Sequence, residues 1–326
     1  MFKYVITRIL WMIPIMIGVI IVVFTISYIS PGDPVLLLIP SDYTQDVYDA
    51  KAAQFGLDQP YIVQVGTTVL NIFTKLDLGK SFMTSYPISY ELASRIPISL
   101  RINLISIVLM IVIGLPLGIL SALKRYSLFD LIVTPVSLIF AAIPGFIMAI
   151  LSALLFGVIL KWLPINGLDT WKHWILPVAC SSGIGVAVYV RMSRTTMLEI
   201  IRQDYVRTAR AKGLAERTVV IKHALPNCLV ILITTLGAQL ASIFGGSIIV
   251  ETIFGIPGVG TFMQRGISSR DYPVITGSVF VMALLVCSVN ICVDIAYAFV
   301  DPRIKARFTS PKQKIKRIEA KKEGSV

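Results

Sequence analysis

The chain has 326 residues, of which 56% are apolar and only 15% charged, with a mean hydropathy of +0.80. In a soluble domain about a quarter of the residues are charged, so an ordinary water-soluble fold is excluded for most of this chain. The net charge of +12 would suit a nucleic-acid ligand, but the positive residues are distributed as in a membrane protein.

A run of about 20 apolar residues spans the hydrocarbon core as a helix. Residues 9–29 are the first such run, and no charge interrupts them. The run is too long for a signal peptide. No small-x-small cleavage site follows, since the chain continues Ser30-Pro31-Gly32-Asp33-Pro34. A retained anchor helix is expected. Residues 31–98 are then expected to form an ordered extracytoplasmic lobe. Asp42 is placed to cap a helix through Val47, Ala50 and Gln54 that stops at Gly56. Pro60 starts a second helix with Ile62, Val65, Val69, Leu70 and Phe73 on one face. Such a lobe serves equally as a docking surface or as a plain solvated one.

Five further apolar runs follow: 102–123, 131–160, 174–190, 229–250 and 274–299. The second of these is longer than a straight span needs and carries Pro135 and Pro144, so a kink or tilt is expected. The fold class is therefore all-α, an integral membrane protein of six spans. Its expected parts are residues 1–30 (cytoplasmic end and first helix), the lobe 31–98, the core 99–303 with a cytoplasmic loop 191–226, and a basic tail 304–326. The tail is lysine-rich, nearly devoid of apolar residues, and expected to be disordered against the lipid surface.

An N-terminus in the cytoplasm puts Lys3, Arg8, Lys124, Arg125, eight basic residues from Arg191 to Lys222 and nine from Arg303 onward on that side. That is 21 of the 30 Lys and Arg. The other side keeps 9 basic against 10 acidic residues. This positive-inside bias predicts that both termini are cytoplasmic, which an even number of spans satisfies.

Catalytic machinery is hard to find in the sequence. His173 and His223 fall on opposite sides of the membrane, and no metal-ligand spacing occurs. The four cysteines lie in or beside spans without CxxC spacing and read as small buried side chains. Gly79-Lys80-Ser81 resembles the end of a phosphate-binding loop, but Thr74 stands where the first glycine belongs and the segment lies outside the cell. If ATP is used, another chain binds it, and no cofactor is expected in this one. Asp294, in the last span, is a default proton-relay residue. It also reads as an isolated helix-end acid facing a neighbouring subunit or headgroups. Asn103, Gln239 and Asn290 suit interhelical hydrogen bonds, and Gly114 and Gly118 suit close helix packing. No internal repeat supports an inverted-repeat secondary transporter.

Two irregular segments remain. Between spans five and six, Gly255, Pro257, Gly258 and Gly260 permit tight turns, and a short helix after them is expected to dip back at the membrane edge. This makes a gate or a tight connector. Between spans four and five, Asp204 is placed to cap a short helix ending at Gly213. A second helix then runs to Leu225, with Pro226 opening the next span. The small residues Ala209, Ala211 and Gly213, flanked by Arg207, Arg210 and Lys212, allow a partner protein to come close and supply cations for its acids. A solvated basic loop accounts for the same pattern.

This loop resembles that of bacterial ABC importer permeases, which reads Glu-Ala-Ala, three residues, Gly, nine residues, Ile-x-Leu-Pro. Gly213 and Leu225-Pro226 match at that spacing, while Arg207-Thr208-Ala209 replaces Glu-Ala-Ala and His223 replaces Ile. These departures are similar to those of the oligopeptide, dipeptide and nickel permeases of the OppB/DppB type. The resemblance continues in Pro31-Gly32-Asp33-Pro34, Gly56-Leu57-Asp58-Gln59-Pro60 and Leu76-Asp77-Leu78-Gly79-Lys80-Ser81. It is resumed in Val250-Glu251-Thr252-Ile253-Phe254, Arg270-Asp271-Tyr272-Pro273 and Asp301-Pro302-Arg303. It covers nearly the whole chain before the tail.

The resemblance implies a type I importer permease in the bacterial cytoplasmic membrane, translocating di- or oligopeptides or related solutes such as nickel chelates or glutathione. It implies a homologous second permease, two ATPase subunits holding ATP and Mg, and an extracytoplasmic substrate-binding protein. It also assigns coupling to Arg207, Thr208, Ala209, Arg210, Ala211, Lys212 and Gly213. The rival expectation is a self-sufficient secondary transporter or channel using Asp294 as its ion or proton site.

Overall fold

The computed structural model describes the backbone of residues 2–300 and the side chains of residues 6–295. The basic tail and the Asp301-Pro302-Arg303 motif lie outside the described residues. Among the described residues eleven helices, besides a 3-10 turn at Val35–Leu37, occur in the order α1 (Phe2–Ile29), α2 (Gln45–Phe55), α3 (Tyr61–Lys75), α4 (Ile88–Leu123), α5 (Leu128–Ala142), α6 (Gly145–Ile159), α7 (Lys172–Ile200), α8 (Asp204–Ala211), α9 (Glu216–Ile253), α10 (Val259–Ser269) and α11 (Tyr272–Val300).

Five of these, α1, α4, α7, α9 and α11, are long and apolar enough to cross a membrane. The pair α5 and α6, bent by 100°, makes a sixth when counted as one broken span. The bend is a full break, sharper than the expected kink. Ile143 turns extended (φ −78°, ψ 123°) because the ring of Pro144 disfavours a helical residue before it. At 1.5 Å per residue α4, with 36 residues, is about 54 Å long, so its first turns stand outside the hydrocarbon. The passage from lobe to core thus falls inside one helix.

α7 is the central element, with 56% of its most apolar stretch buried, against 17% for α1 and for α11 at the periphery. α4, α5, α6 and α9 all pack on it, α11 packs on α9, and α1 packs on α11. Gly114 and Gly118 supply the close approach of α4. A Cβ at Gly118 would sit 2.3 Å from the Val190 carbonyl. Leu232, Leu240 and Phe244 of α9 fill the core between α7 and α11.

The lobe differs from expectation in two details. α2 starts after Thr44, not from an Asp42 cap, although it stops at Gly56 in the left-handed conformation (φ 68°). α3 buries Gln64, Val65 and Ile72, while Ile62 and Leu70 face outward. The reason is Gln64, whose amide donates to the Gln59 and Leu57 carbonyls at 2.7 and 3.4 Å. That bond turns a polar residue inward and rotates the apolar face. The lobe is tied to the core by Ser81, whose hydroxyl donates to Asp271 Oδ2 at 2.6 Å in the α10–α11 turn.

Candidate functional site

The loop after α7 turns at Gln203, which is extended (φ −68°, ψ 150°) and occupies the position expected for Asp204. Asp204 is instead the first helical residue of α8. Its carboxylate lies 3.7 Å from Arg207 and complements the positive end of the helix. Val206 and Ala209, three residues apart, face inward and form a small separate core with Val219 of α9. Ala209 is therefore a packing residue. It is not on the presented surface, which consists of Arg207, Thr208, Arg210, Ala211, Lys212 and Gly213.

Arg210 also departs from a simple outward cation. Its Nε and Nη2 donate to Glu216 Oε2 and Oε1 at 3.0 and 2.6 Å, and its Nη1 donates to the Ile201 carbonyl at 3.3 Å. One guanidinium thus ties α8 to the end of α7 and the start of α9. Hydrogen bonding to Glu216 raises its pKa above the usual arginine value. Gly213 takes φ +75°, and a Cβ there would meet nothing within 4 Å. Its demand is conformational, and the space beside it is open.

The expected break before Pro226 is absent. α9 runs on from Glu216 to Ile253, and the missing proline N–H falls where a π-helical stretch, Val219–Ala224, widens the turn.

On the opposite side, Gly255 (φ 60°) reverses the chain and Pro257 is exposed. Gly258 and Gly260 serve a different need. Both surround the wholly buried carboxylate of Glu251. A Cβ on Gly258 would lie 2.4 Å from Glu251 Oε2, and one on Gly260 would lie 2.6 Å from Ile248 Cα. Glu251 Oε1 accepts from Ser99 Oγ at 2.6 Å, and its Oε2 accepts from the N–H groups of Gly260 and Thr261 at 2.7 and 3.3 Å. Ser99 in turn accepts from the Val259 N–H at 2.9 Å. The carboxylate fills the first turn of α10 and pins it to α4, satisfying donors that a helix N-terminus leaves open.

Two acids acquire partners that sequence reasoning did not find. Asp130, at the start of α5, takes a bidentate bond from Arg194 of α7, Nε to Oδ1 at 2.7 Å and Nη2 to Oδ2 at 2.9 Å. It also accepts from the Ser121 hydroxyl, the Tyr126 N–H and the Thr134 hydroxyl. The Ser127-x-x-Asp130 spacing before an apolar run was the available signal, and Ser127 is indeed the N-cap of α5. Asp294 is not an isolated acid. It pairs with Arg8 of α1, Nε to Oδ2 at 3.2 Å. A paired, partly exposed acid at a helix end is a packing contact, and nothing in its geometry favours an ion site.

The family described as "Binding-protein-dependent transport system inner membrane component" matches residues 114–306, and its N-terminal companion matches residues 1–103. The chain belongs to this family of importer permeases. The permease is 36% identical to a putative peptide transport system permease protein of Brucella suis biovar 1 (strain 1330), over 91% of this chain and 97% of that one. It is 34% identical to the dipeptide transport system permease protein DppB of Alkalihalophilus pseudofirmus, over 94% and 100%. It is 35% identical to the glutathione transport system permease protein GsiC of Escherichia coli O6:H1, over 94% and 99%. In fold it is similar to a chain of the MetNI methionine ABC transporter in an inward-facing conformation, with a TM-score of 0.57 at 22% identity, over 67% of this chain and 100% of that one. The permease is thus a multi-pass inner-membrane component of an ABC importer, with the type I fold, in the oligopeptide and dipeptide branch.

Proposed function

We propose that the permease carries di- or oligopeptides, glutathione-like peptides included, from an extracytoplasmic binding protein into the cytoplasm. It does so beside a homologous second permease and above two ATPase subunits that hold ATP and Mg. Both termini and the α8 loop face the cytoplasm, and the 31–98 lobe and the α9–α10 turn face outward. The observation that carries this reading is α8 itself. It is a short, largely exposed helix buttressed by the core of Val206, Ala209 and Val219 and tied by Arg210 to the end of α7 and the start of α9. A rigid projection of this kind transmits a push into α7 and α9 without bending, and those helices are the two-state element it biases.

Peptide as cargo rests on the relatives named above. The test is Ala211→Trp in the reconstituted importer. Ala211 is exposed and outside the small core. The expected result is normal membrane insertion with at least tenfold lower ATP-driven peptide uptake. Undiminished uptake would contradict coupling through α8. Peptide uptake by the permease alone under a proton gradient, without ATPases, would support the secondary-transporter reading instead.

A further inference from the structure

The outer face holds a cleft of about 630 Å³ between the start of α4, the end of α9 and α10. This is within the range of small-ligand sites. Thr261, whose N–H is held by Glu251, forms part of its floor, so the cleft lies directly outside the braced turn. Arg95 lies in its wall with only 16% of its side chain exposed. One Nη of Arg95 donates to Glu91 Oε2 at 2.7 Å, and the guanidinium stacks over Phe262 at 4.7 Å. Its Nε–H is buried without a hydrogen-bond partner. Arg265 stands exposed in the same cleft and makes no ion pair among the described residues. Asp271 also lines the cleft, but its carboxylate is 2% exposed and engaged by Ser81 and by the Met83 and Val274 N–H groups.

We propose that this cleft is a reception site for the free carboxylate of a peptide cargo, with Arg95 and Arg265 as its cationic anchors. The inference rests on the peptide reading above. The Nε–H is sealed from solvent and its fork neighbour Nη2 is held by Glu91, so a carboxylate entering the cleft meets the positive charge of Arg95 and the exposed guanidinium fork of Arg265. Glu91 fixes the Arg95 guanidinium through Nη2. The recess favours cargo over an acid on the binding protein, because a mostly buried guanidinium is reached by a small ligand more easily than by a folded surface.

The test uses the complete importer in proteoliposomes, with dialanine and its C-terminal amide supplied at concentrations that saturate the binding protein. Arg265→Gln and Arg95→Gln are compared with the wild type, Arg265→Gln being the variant that disturbs no internal contact. The expected result is that the wild type takes up the acid about tenfold faster than the amide. The variants reduce that ratio toward 1, with the binding-protein concentration for half-maximal ATPase stimulation unchanged. A ratio retained in both variants overturns the cleft assignment. So does a raised half-maximal concentration with the ratio intact, which would make the cleft a docking site for the binding protein. A wild type that takes up neither dialanine, longer alanine peptides nor glutathione overturns the peptide reading as well, and that failure is seen before any variant is made.

Discussion

The α8 loop and the α9–α10 turn are both short glycine-containing connections beside α9, yet they are held in opposite ways. α8 projects, and apart from Val206 and Ala209 its residues are exposed, with exposed ion pairs at Arg207 and Arg210. The outer turn is stitched inward by one buried acid that bonds only to neutral donors. The difference separates a projecting, exposed segment from one braced by buried hydrogen bonds. Glycines 258 and 260 allow close packing around Glu251, so they are evidence for a braced turn more than for a swinging one.

Substitutions can break this comparison in order of expected size. Asp130→Ala removes one side of the buried pair with Arg194 and should cost roughly 3–5 kcal/mol. The readout is thermal unfolding of the detergent-solubilised permease, and a loss under 1 kcal/mol would contradict the bidentate bond. Glu251→Ala leaves Ser99 and the Gly260 and Thr261 N–H groups without their acceptor. The Ser99 hydroxyl can rotate and the Thr261 N–H is only partly buried, so the Gly260 N–H is the main loss, and at about 1–3 kcal/mol for a buried unsatisfied donor the variant should rank close behind. Glu251→Gln, which keeps an acceptor oxygen, should recover part of that loss. If Glu251→Ala unfolds no earlier than Arg210→Ala, the contrast between the two regions fails.

Arg210→Ala should lower stability by no more than about 1 kcal/mol, because its pair with Glu216 is exposed. It should still reduce uptake several-fold by loosening α8 from α7. Equal stability and equal uptake would remove the staple from the account.

The smallest effect belongs to the lobe. The Tyr48 hydroxyl donates to Asp33 Oδ2 at 2.6 Å, and this bond to a carboxylate pushes its pKa up to about 12. The protonated phenol is the favoured form, so its contribution to stability is fully present below pH ~10, the ordinary tyrosine value, and is lost as pH rises toward 12. In a spectrophotometric titration Tyr48→Phe should remove one phenol from the late-titrating set. An unchanged number of late phenols in that variant would assign the shift elsewhere.

Hydropathy made most of this fold legible, because each span is a long apolar run and the bilayer sets its length. It could not place single acids. Nothing in the hydropathy pattern marks the partners of Glu251 or Asp130, and Asp294 reads as alone. Their partners lie 9 and 152 residues away for Glu251, 64 for Asp130 and 286 for Asp294. The orientation of α3 was missed for a related reason. Apolar periodicity cannot weigh the inward hydrogen bonds of Gln64. In the α8 loop, the sequence supplied the extent of the segment, while the inward turn of Ala209 depended on contact with Val219.

Whether α8 is a cytoplasmic projection gripped by the ATPase subunits is tested by a single cysteine at Ala211, in a chain whose four native cysteines are replaced by alanine, with a membrane-impermeant maleimide. The expected result is labelling in inside-out vesicles, none in right-side-out vesicles, and protection when the ATPase subunits are bound. Labelling from the outside alone would contradict both the topology and the coupling built on it.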